Sequence, residues 1–156
     1  ANLARKPQGN DRAQAKAIYE GVCDVAIANT YYMGKMATNK KKPEQKKWAA
    51  AIRVTFLNQQ GRGNHVNLSG AAVIRNAKNR ANAVKLIEFL SGDFAQRIYA
   101  SQNFEYPVKA SVAIDPLVKS WGQFKADTIN LEKIAKLRST ASKLVDKVRF
   151  NEGPGS

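Results

Sequence analysis

A short helical pattern that leads directly into an unbroken apolar segment is the feature that most restricts the fold of this chain. Residues 12–20 follow the capping residues Asn10 or Asp11 and end at Gly21, and an almost continuous apolar segment occupies 22–28. A cap before and a glycine after such a pattern are typical of an α-helix. A strand with few polar residues needs a cover on both of its faces, as in sheets flanked by helices. The sequence therefore predicts an α/β fold.

Further helices and extended segments alternate along the rest of the chain. Apolar residues at helical spacing predict a helix from 43 or 44 to 51, two helices joined at Gly92 within 80–101, and a terminal helix over 131–148. Extended structure is predicted for 52–57, 65–74 and 106–116. No stretch of the sequence approaches the roughly 20 apolar residues that a membrane-spanning helix needs.

The chain carries a strong positive charge. Its 26 Lys and Arg against 12 Asp and Glu give a formal net charge of +14. Such a charge favours approach to nucleic acid, to anionic lipid or to an acidic partner, and it does not choose among them. The densest basic run, Lys40 to Lys47, contains Pro43, and such runs are typical of a solvated loop or helix start.

A single cysteine and a single histidine exclude several kinds of site. Cys23 rules out a disulfide within the chain; a buried thiol is predicted, and a disulfide to a cysteine outside the chain is the alternative. With only His65 beside it, no Cys/His zinc cluster can form, and a Cys-His or Ser-His-Asp nucleophile finds little support. His65 is therefore predicted to be structural. Gly61-Arg62-Gly63 lacks the Lys-Ser/Thr of a phosphate-binding loop and is predicted to form a turn. We predict that the chain is not an enzyme.

Two adjacent tyrosines, Tyr31 and Tyr32, follow the apolar segment and carry the strongest chemical signal. A free phenol has a pKa of roughly 10, so only a hard, highly charged cation such as Fe(III) readily displaces its proton near neutral pH. The alternative is that both are ordinary strand residues. Neighbours in a regular strand point to opposite faces, so both rings can reach one ion only if the chain leaves strand geometry. Asn29-Thr30 before the pair and Gly34 after it favour such a departure.

Several segments together resemble a known family of binding proteins. The segments 9–12, 20–32 and 64–70 resemble the ferric-binding substrate-binding proteins of bacterial ABC transporters, and the similarity continues through 83–91, 106–108 and 121–127. The tyrosine pair after an Asn-x step is fairly specific within this fold. The helix motif before Ser91 is shared by many periplasmic binding proteins and identifies the fold alone.

The resemblance implies a two-lobed α/β fold, that of the class II periplasmic binding proteins, with this chain as roughly its C-terminal half. Residues 1–64 would then form a second-lobe segment that carries the tyrosine pair, and 65–108 a hinge strand and the return to the first lobe. Residues 109–152 would form C-terminal helices that pack back on the second lobe. Residues 153–156 are expected to be a linker or an expression remnant.

The resemblance also implies capture of ferric iron for import, with Tyr31 and Tyr32 as tyrosinate ligands and further ligands outside this chain. Asn29 falls where some members contact an anion or support the ligands, and Arg12 offers a neighbouring charge. Members that bind a synergistic anion have an asparagine at the place of Asp11, which leaves such an anion undecided here. The implied partners are a permease and its ATPase, met in the periplasm, together with the missing N-terminal half, which a companion chain could carry.

Two other functions remain open from the sequence. In the first, the chain is a basic nucleic-acid-binding module in which Lys40 to Lys47 and the terminal helix bind phosphates; the family resemblance argues against this, and no nucleic acid is expected. In the second, the same fold binds another small anion or metal, because a fold does not fix a function.

Overall fold

The computed structural model describes residues 2–154, and its regular structure is helical. The α-helices are α1 (Asp11–Tyr19), α2 (Tyr31–Ala37), α3 (Glu44–Ala50), α4 (Arg80–Ser91), α5 (Asp93–Asn103), α6 (Pro116–Lys119) and α7 (Leu131–Lys147), followed by a 3₁₀ helix, Phe150–Glu152. Of the tail expected to be a linker, Gly155 and Ser156 lie outside the described residues.

The helices predicted from apolar spacing are confirmed by α1, α3, α4, α5 and α7. Capping explains where two of them begin. The Asn10 side chain accepts a hydrogen bond of 3.0 Å from the backbone N–H of Arg12, and the Asn130 side chain accepts one of 2.7 Å from that of Glu132. Each bond satisfies a backbone donor that a helix start otherwise leaves free. Gly92 separates α4 from α5, as the sequence predicts.

The best-packed part of the molecule is formed by α1, α2 and α3. Ala15, Met36 and Ala49, one from each helix, are buried against one another, and around them pack Met33, Ala37, Trp48 and Ile52. Alanines on two of the three helices let the backbones approach closely around the larger Met36 side chain. This cluster fixes α2, which carries the tyrosine pair, against its two neighbours.

The strands predicted at 22–28, 52–57 and 65–74 do not form within residues 2–154. The β-pairing in this part of the chain is a single isolated parallel bridge between Asn64 and Ala126. Val25 and Ile27, expected in a sheet covered on both faces, are 83% and 92% exposed. A strand needs a neighbour for its N–H and C=O groups, and no ladder is available among the described residues. The prediction of strands at these positions is therefore wrong for this part of the chain.

Two helices were missed by the sequence analysis. The short helix α6 begins inside the segment predicted to be extended, with the Asp115 side chain as its cap and Pro116 at its first position. Proline is favoured there because the first helical N–H has no partner within the helix. The other, α2, could have been predicted from the sequence, because Met33, Met36 and Ala37 have the spacing of one helix face.

The terminal helix α7 is largely exposed along its length and packs chiefly against the 3₁₀ helix that follows it. Its apolar residues form an open groove lined by Ile134, Ala135, Leu137, Arg138, Ala141, Ser142 and Val145. The assignment of this helix and of the other segments to particular lobes stays a prediction. None of the helices described within residues 2–154 has the length and apolar character needed to cross a bilayer.

Candidate metal site at the tyrosine pair

The two tyrosines lie in the first turn of α2. The chain leaves extended geometry at Thr30, whose φ and ψ are −60° and −34°, and the backbone N–H of Tyr32 donates to the carbonyl of Asn29 at 3.2 Å. The phenol rings stack, with centroids 4.4 Å apart and planes 29° from parallel. The expected departure from strand geometry is confirmed, and the two side chains share one side of the molecule instead of pointing apart.

The environment of Tyr31 holds its proton in the absence of a metal. The pKa of Tyr31 is raised from 10.0 to about 12, first by a side-chain hydrogen bond with Tyr32, then by burial, and further by the negative charges of Tyr32, Asp11 and Glu105. Tyr31 is therefore a neutral phenol at physiological pH. Negative groups that disfavour a bare phenolate also attract a cation, so a bound metal would replace this proton.

Two cationic side chains lie over the tyrosine rings. The guanidinium carbon of Arg12 is 4.8 Å from the centroid of Tyr32, and the ammonium nitrogen of Lys35 is 5.0 Å from that of Tyr31. Cation–π contacts at these distances hold a ring against a charge. Arg12, selected from the sequence as a neighbouring charge, is thus placed directly at the pair.

Asn29 connects the pair to two other segments. Its backbone N–H and its side-chain amide both donate to Oδ1 of Asp11, at 2.6 and 3.2 Å. The side-chain amide of Asn67 donates to Oδ1 of Asn29 at 3.5 Å. The turn before Tyr31 is therefore tied both to the start of α1 and to the segment around Asn67.

The sequence analysis missed the role of Asp11 and the presence of Glu105. Asp11 was considered as a helix cap, but Asn10 fills that position, which leaves the Asp11 carboxylate to bind Asn29. Glu105 gives no signal in the sequence, because only the packing of the turn after α5 on α2 brings it to the tyrosines. Gly34 permits this packing: a Cβ built there would lie 2.2 Å from Cγ of Phe104.

Other residues selected from the sequence do not gather into a second site. The described part of the chain contains no cluster of three or more His, Cys, Asp or Glu suited to a metal ion. His65 is exposed, Cys23 is a half-buried free thiol, and Gly61 to Gly63 form a turn closed by the carbonyl of Asn58. The lysines of the Lys40 to Lys47 run are exposed and lead into α3, as expected of a solvated helix start.

Comparison with known proteins finds similar iron uptake and ferric-binding proteins, although no protein-family model matches the chain. Iron uptake protein A1 of Synechocystis is 46% identical over 94% of this chain, which covers 41% of that protein. Apo ferric ion-binding protein A of Pasteurella haemolytica matches with a TM-score of 0.89 and 53% identity, over 97% of this chain and 46% of its own. A Trichodesmium protein in complex with iron and citrate matches with a TM-score of 0.89 and 43% identity, over 96% of this chain and 47% of its own. The chain thus spans less than half the length of these proteins.

Proposed function

We propose that this chain, whose homologues are iron uptake and ferric iron-binding proteins, belongs to a substrate-binding protein that captures ferric iron through Tyr31 and Tyr32. The observation that carries the proposal is the placement of two adjacent phenols, stacked at 4.4 Å, at the start of one helix. Helix α2 is itself anchored by the core residue Met36, so the two oxygens are presented from a rigid element.

The chemistry of the pair suits a trivalent cation. Phenolate oxygen is a hard anionic donor and matches Fe(III) better than softer divalent metals, which favour nitrogen and sulfur ligands. Binding as phenolates requires both hydroxyl protons to leave, and the charges of Arg12 and Lys35 over the rings help to hold the resulting negative charge. Release would follow from protonation of the ligands or from reduction, because Fe(II) is a poorer match for phenolate oxygen.

An anion bound together with the iron would need partners besides Asn29. The backbone N–H and one side-chain N–H of Asn29 already go to Asp11, so Asn29 keeps only its second side-chain N–H for another acceptor. Arg12 and Lys35 are the cations nearest to the phenols and are the residues that would meet an anion such as citrate.

The rest of the proposal concerns the whole protein. Homologous proteins are more than twice the length of this chain, and we propose that the complete molecule is a two-lobed α/β binding protein whose other half supplies further iron ligands. The sheet strands that residues 2–154 lack would find their partners there. We propose that the protein delivers iron to an ABC permease and its ATPase from the periplasm and catalyses no reaction.

The proposal is tested by titrating the natural full-length protein with ferric citrate and following the visible phenolate-to-iron charge-transfer band. Tyr31→Phe and Tyr32→Phe each remove one phenol oxygen and keep the ring, so each variant is expected to lose most of the band. Tyr19→Phe, at the exposed end of α1, is the matched control and should leave the band unchanged.

A folded wild-type protein that takes up iron without this band would contradict the tyrosinate site. Tight binding of a different metal or of a small anion that survives both Tyr→Phe substitutions would identify another ligand for the same fold. Binding to nucleic acid that weakens steeply with salt would instead assign the basic surface the main role.

A further inference from the structure

The turn after α5 is packed directly on the helix that carries the tyrosines. Phe104 ends α5 with a left-handed backbone, φ of 58°, and its ring lies over Gly34 in the middle of α2. A left-handed conformation is costly for a bulky residue and persists only where the surrounding structure requires it. This contact brings the next residue, Glu105, close to the tyrosine pair.

The Glu105 carboxylate is held in a fixed orientation by two neutral donors. The side-chain amide of Asn103 donates to its Oε1, and the hydroxyl of Ser69 donates to its Oε2 at 3.3 Å. None of the ion pairs in the described part of the chain involves Glu105, so its negative charge has no cationic partner within 4 Å there. An ionised carboxylate has about four acceptor positions, and two donors leave room for a metal ion.

One short segment joins this carboxylate to the other side of the site. Asn67 and Ser69 are two residues apart, and alternate residues of an extended chain lie on the same face. The first donates to Asn29, two residues before Tyr31, and the second donates to Glu105. The hydrogen bonds therefore place Asn29 and Glu105 along one edge, and the packing of Phe104 on Gly34 holds the turn that carries Glu105 against the helix of the tyrosines.

We propose that Glu105 is a further cation-binding residue of the tyrosine site and supplies a carboxylate oxygen to the ferric ion beside the two phenolates. The inference rests on the proposed function and adds a ligand from this chain. Two phenolates leave one positive charge on Fe(III), and one carboxylate neutralises it with another hard oxygen donor. Because the carboxylate is already oriented by Asn103 and Ser69, little reorganisation would be needed on binding.

The test compares Glu105→Gln with the full-length protein in ferric citrate titrations at constant pH. The amide keeps the size of the side chain and can still accept hydrogen bonds, but it removes the charge. We expect iron affinity to fall at least about tenfold. We also expect the charge-transfer band to move to longer wavelength, because iron that has lost an anionic donor accepts an electron from phenolate more readily. Glu88→Gln, on the exposed face of α4, should change neither quantity.

A second variant separates charge from folding. Glu105→Asp keeps the carboxylate on a shorter side chain and should lose less affinity than Glu105→Gln, with a band nearer to that of the wild type. Unchanged affinity and an unshifted band in Glu105→Gln would overturn the inference while leaving the tyrosine site intact. Weaker binding with an unshifted band in Glu105→Gln would assign Glu105 only to holding the turn and would overturn it as well. Absence of the band from the wild type would contradict the proposed function itself.

Discussion

The helices around Met36 and the apolar segment at 22–28 differ in how far their apolar side chains are buried. Met36 is 1% exposed between α1 and α3, whereas Val25 and Ile27, a few residues earlier, are 83% and 92% exposed. A helix completes its hydrogen bonds within itself and needs only a partner for one face. A strand needs a neighbour for its backbone as well as a cover for its side chains. The helical core can therefore form within residues 2–154, and the sheet cannot.

The same contrast explains why the tyrosine pair is held more firmly than the extended segments around it. Tyr31 and Tyr32 belong to a helix with a buried anchor, so their positions follow from contacts that this chain supplies. The extended segments that surround the site are held by a few side-chain hydrogen bonds, such as that between Asn67 and Asn29. Exposed apolar residues on these segments form a surface that a larger assembly or the rest of the molecule would cover.

The largest expected difference between the two regions comes from side-chain truncation. Met36→Ala should lower the free energy of unfolding by about 2–5 kcal/mol, because it leaves a cavity between α1, α2 and α3. Val25→Ala, in the exposed segment, should change it by less than about 0.5 kcal/mol when both variants are made in this chain alone. Urea unfolding followed by circular dichroism measures both. A large loss from Val25→Ala in this chain alone would show that the segment is buried without the rest of the molecule.

A second comparison concerns two glycines. Gly34→Ala forces a methyl group against the ring of Phe104, which has a strained backbone and little freedom to move, and should destabilise by about 1–3 kcal/mol. Gly70→Ala, with no atom within 4 Å of the new methyl group, is the control and should be neutral or slightly stabilising. Equal midpoints of urea unfolding for the two variants would contradict the packing of the turn after α5 on α2.

A smaller effect is expected at the hydrogen bonds of Asn29. Asp11→Ala removes the acceptor of two of them and should cost about 1 kcal/mol in stability, since the site is partly exposed. Asp24→Ala, which removes an exposed acid within the apolar segment 22–28, serves as the control for loss of charge. Thermal unfolding of both variants at one pH measures the difference. A larger loss of stability from Asp24→Ala would contradict the hydrogen bonds between Asp11 and Asn29.

The smallest expected effect is on the pH dependence of stability. The pKa of Tyr31 is about 12 in the folded protein against 10.0 for a free phenol, so the folded state binds this proton more tightly. The resulting stabilisation is complete below pH 10 and is lost as the pH rises towards 12. Absorbance titration of the phenols should show a late-titrating group that Tyr31→Phe removes. A Tyr31 that titrates near 10.0, as a free phenol does, would contradict the hydrogen bond with Tyr32.

Much of the helical structure and the central residues of the site could be predicted from the sequence. Local signals suffice for α1, where a capping residue, apolar spacing and a closing glycine agree. The chemistry of adjacent phenols selected Tyr31 and Tyr32, and the comparisons confirm the family resemblance that accompanied them.

The remaining features depend on contacts between distant residues. Glu105 reaches the tyrosines only because Gly34 leaves space for Phe104, and nothing in the residues near 105 encodes that contact. Asp11 and Asn29 are likewise 18 positions apart. The predicted strands failed for a related reason: an apolar segment such as 52–57 shows a preference for extended structure, but the partner that would pair with it is not among the described residues.

The most direct test of the tyrosine site counts the protons released when ferric iron binds. A phenol that binds iron as a phenolate gives up its hydroxyl proton, so uptake through both tyrosines releases a proton from each. In weakly buffered solution near neutral pH, with the same ferric chelate throughout, Tyr31→Phe and Tyr32→Phe should each release about one proton fewer per bound iron than the wild type. An identical proton count in the wild type and both variants, at equal iron occupancy, would show that the tyrosines are not the ligands.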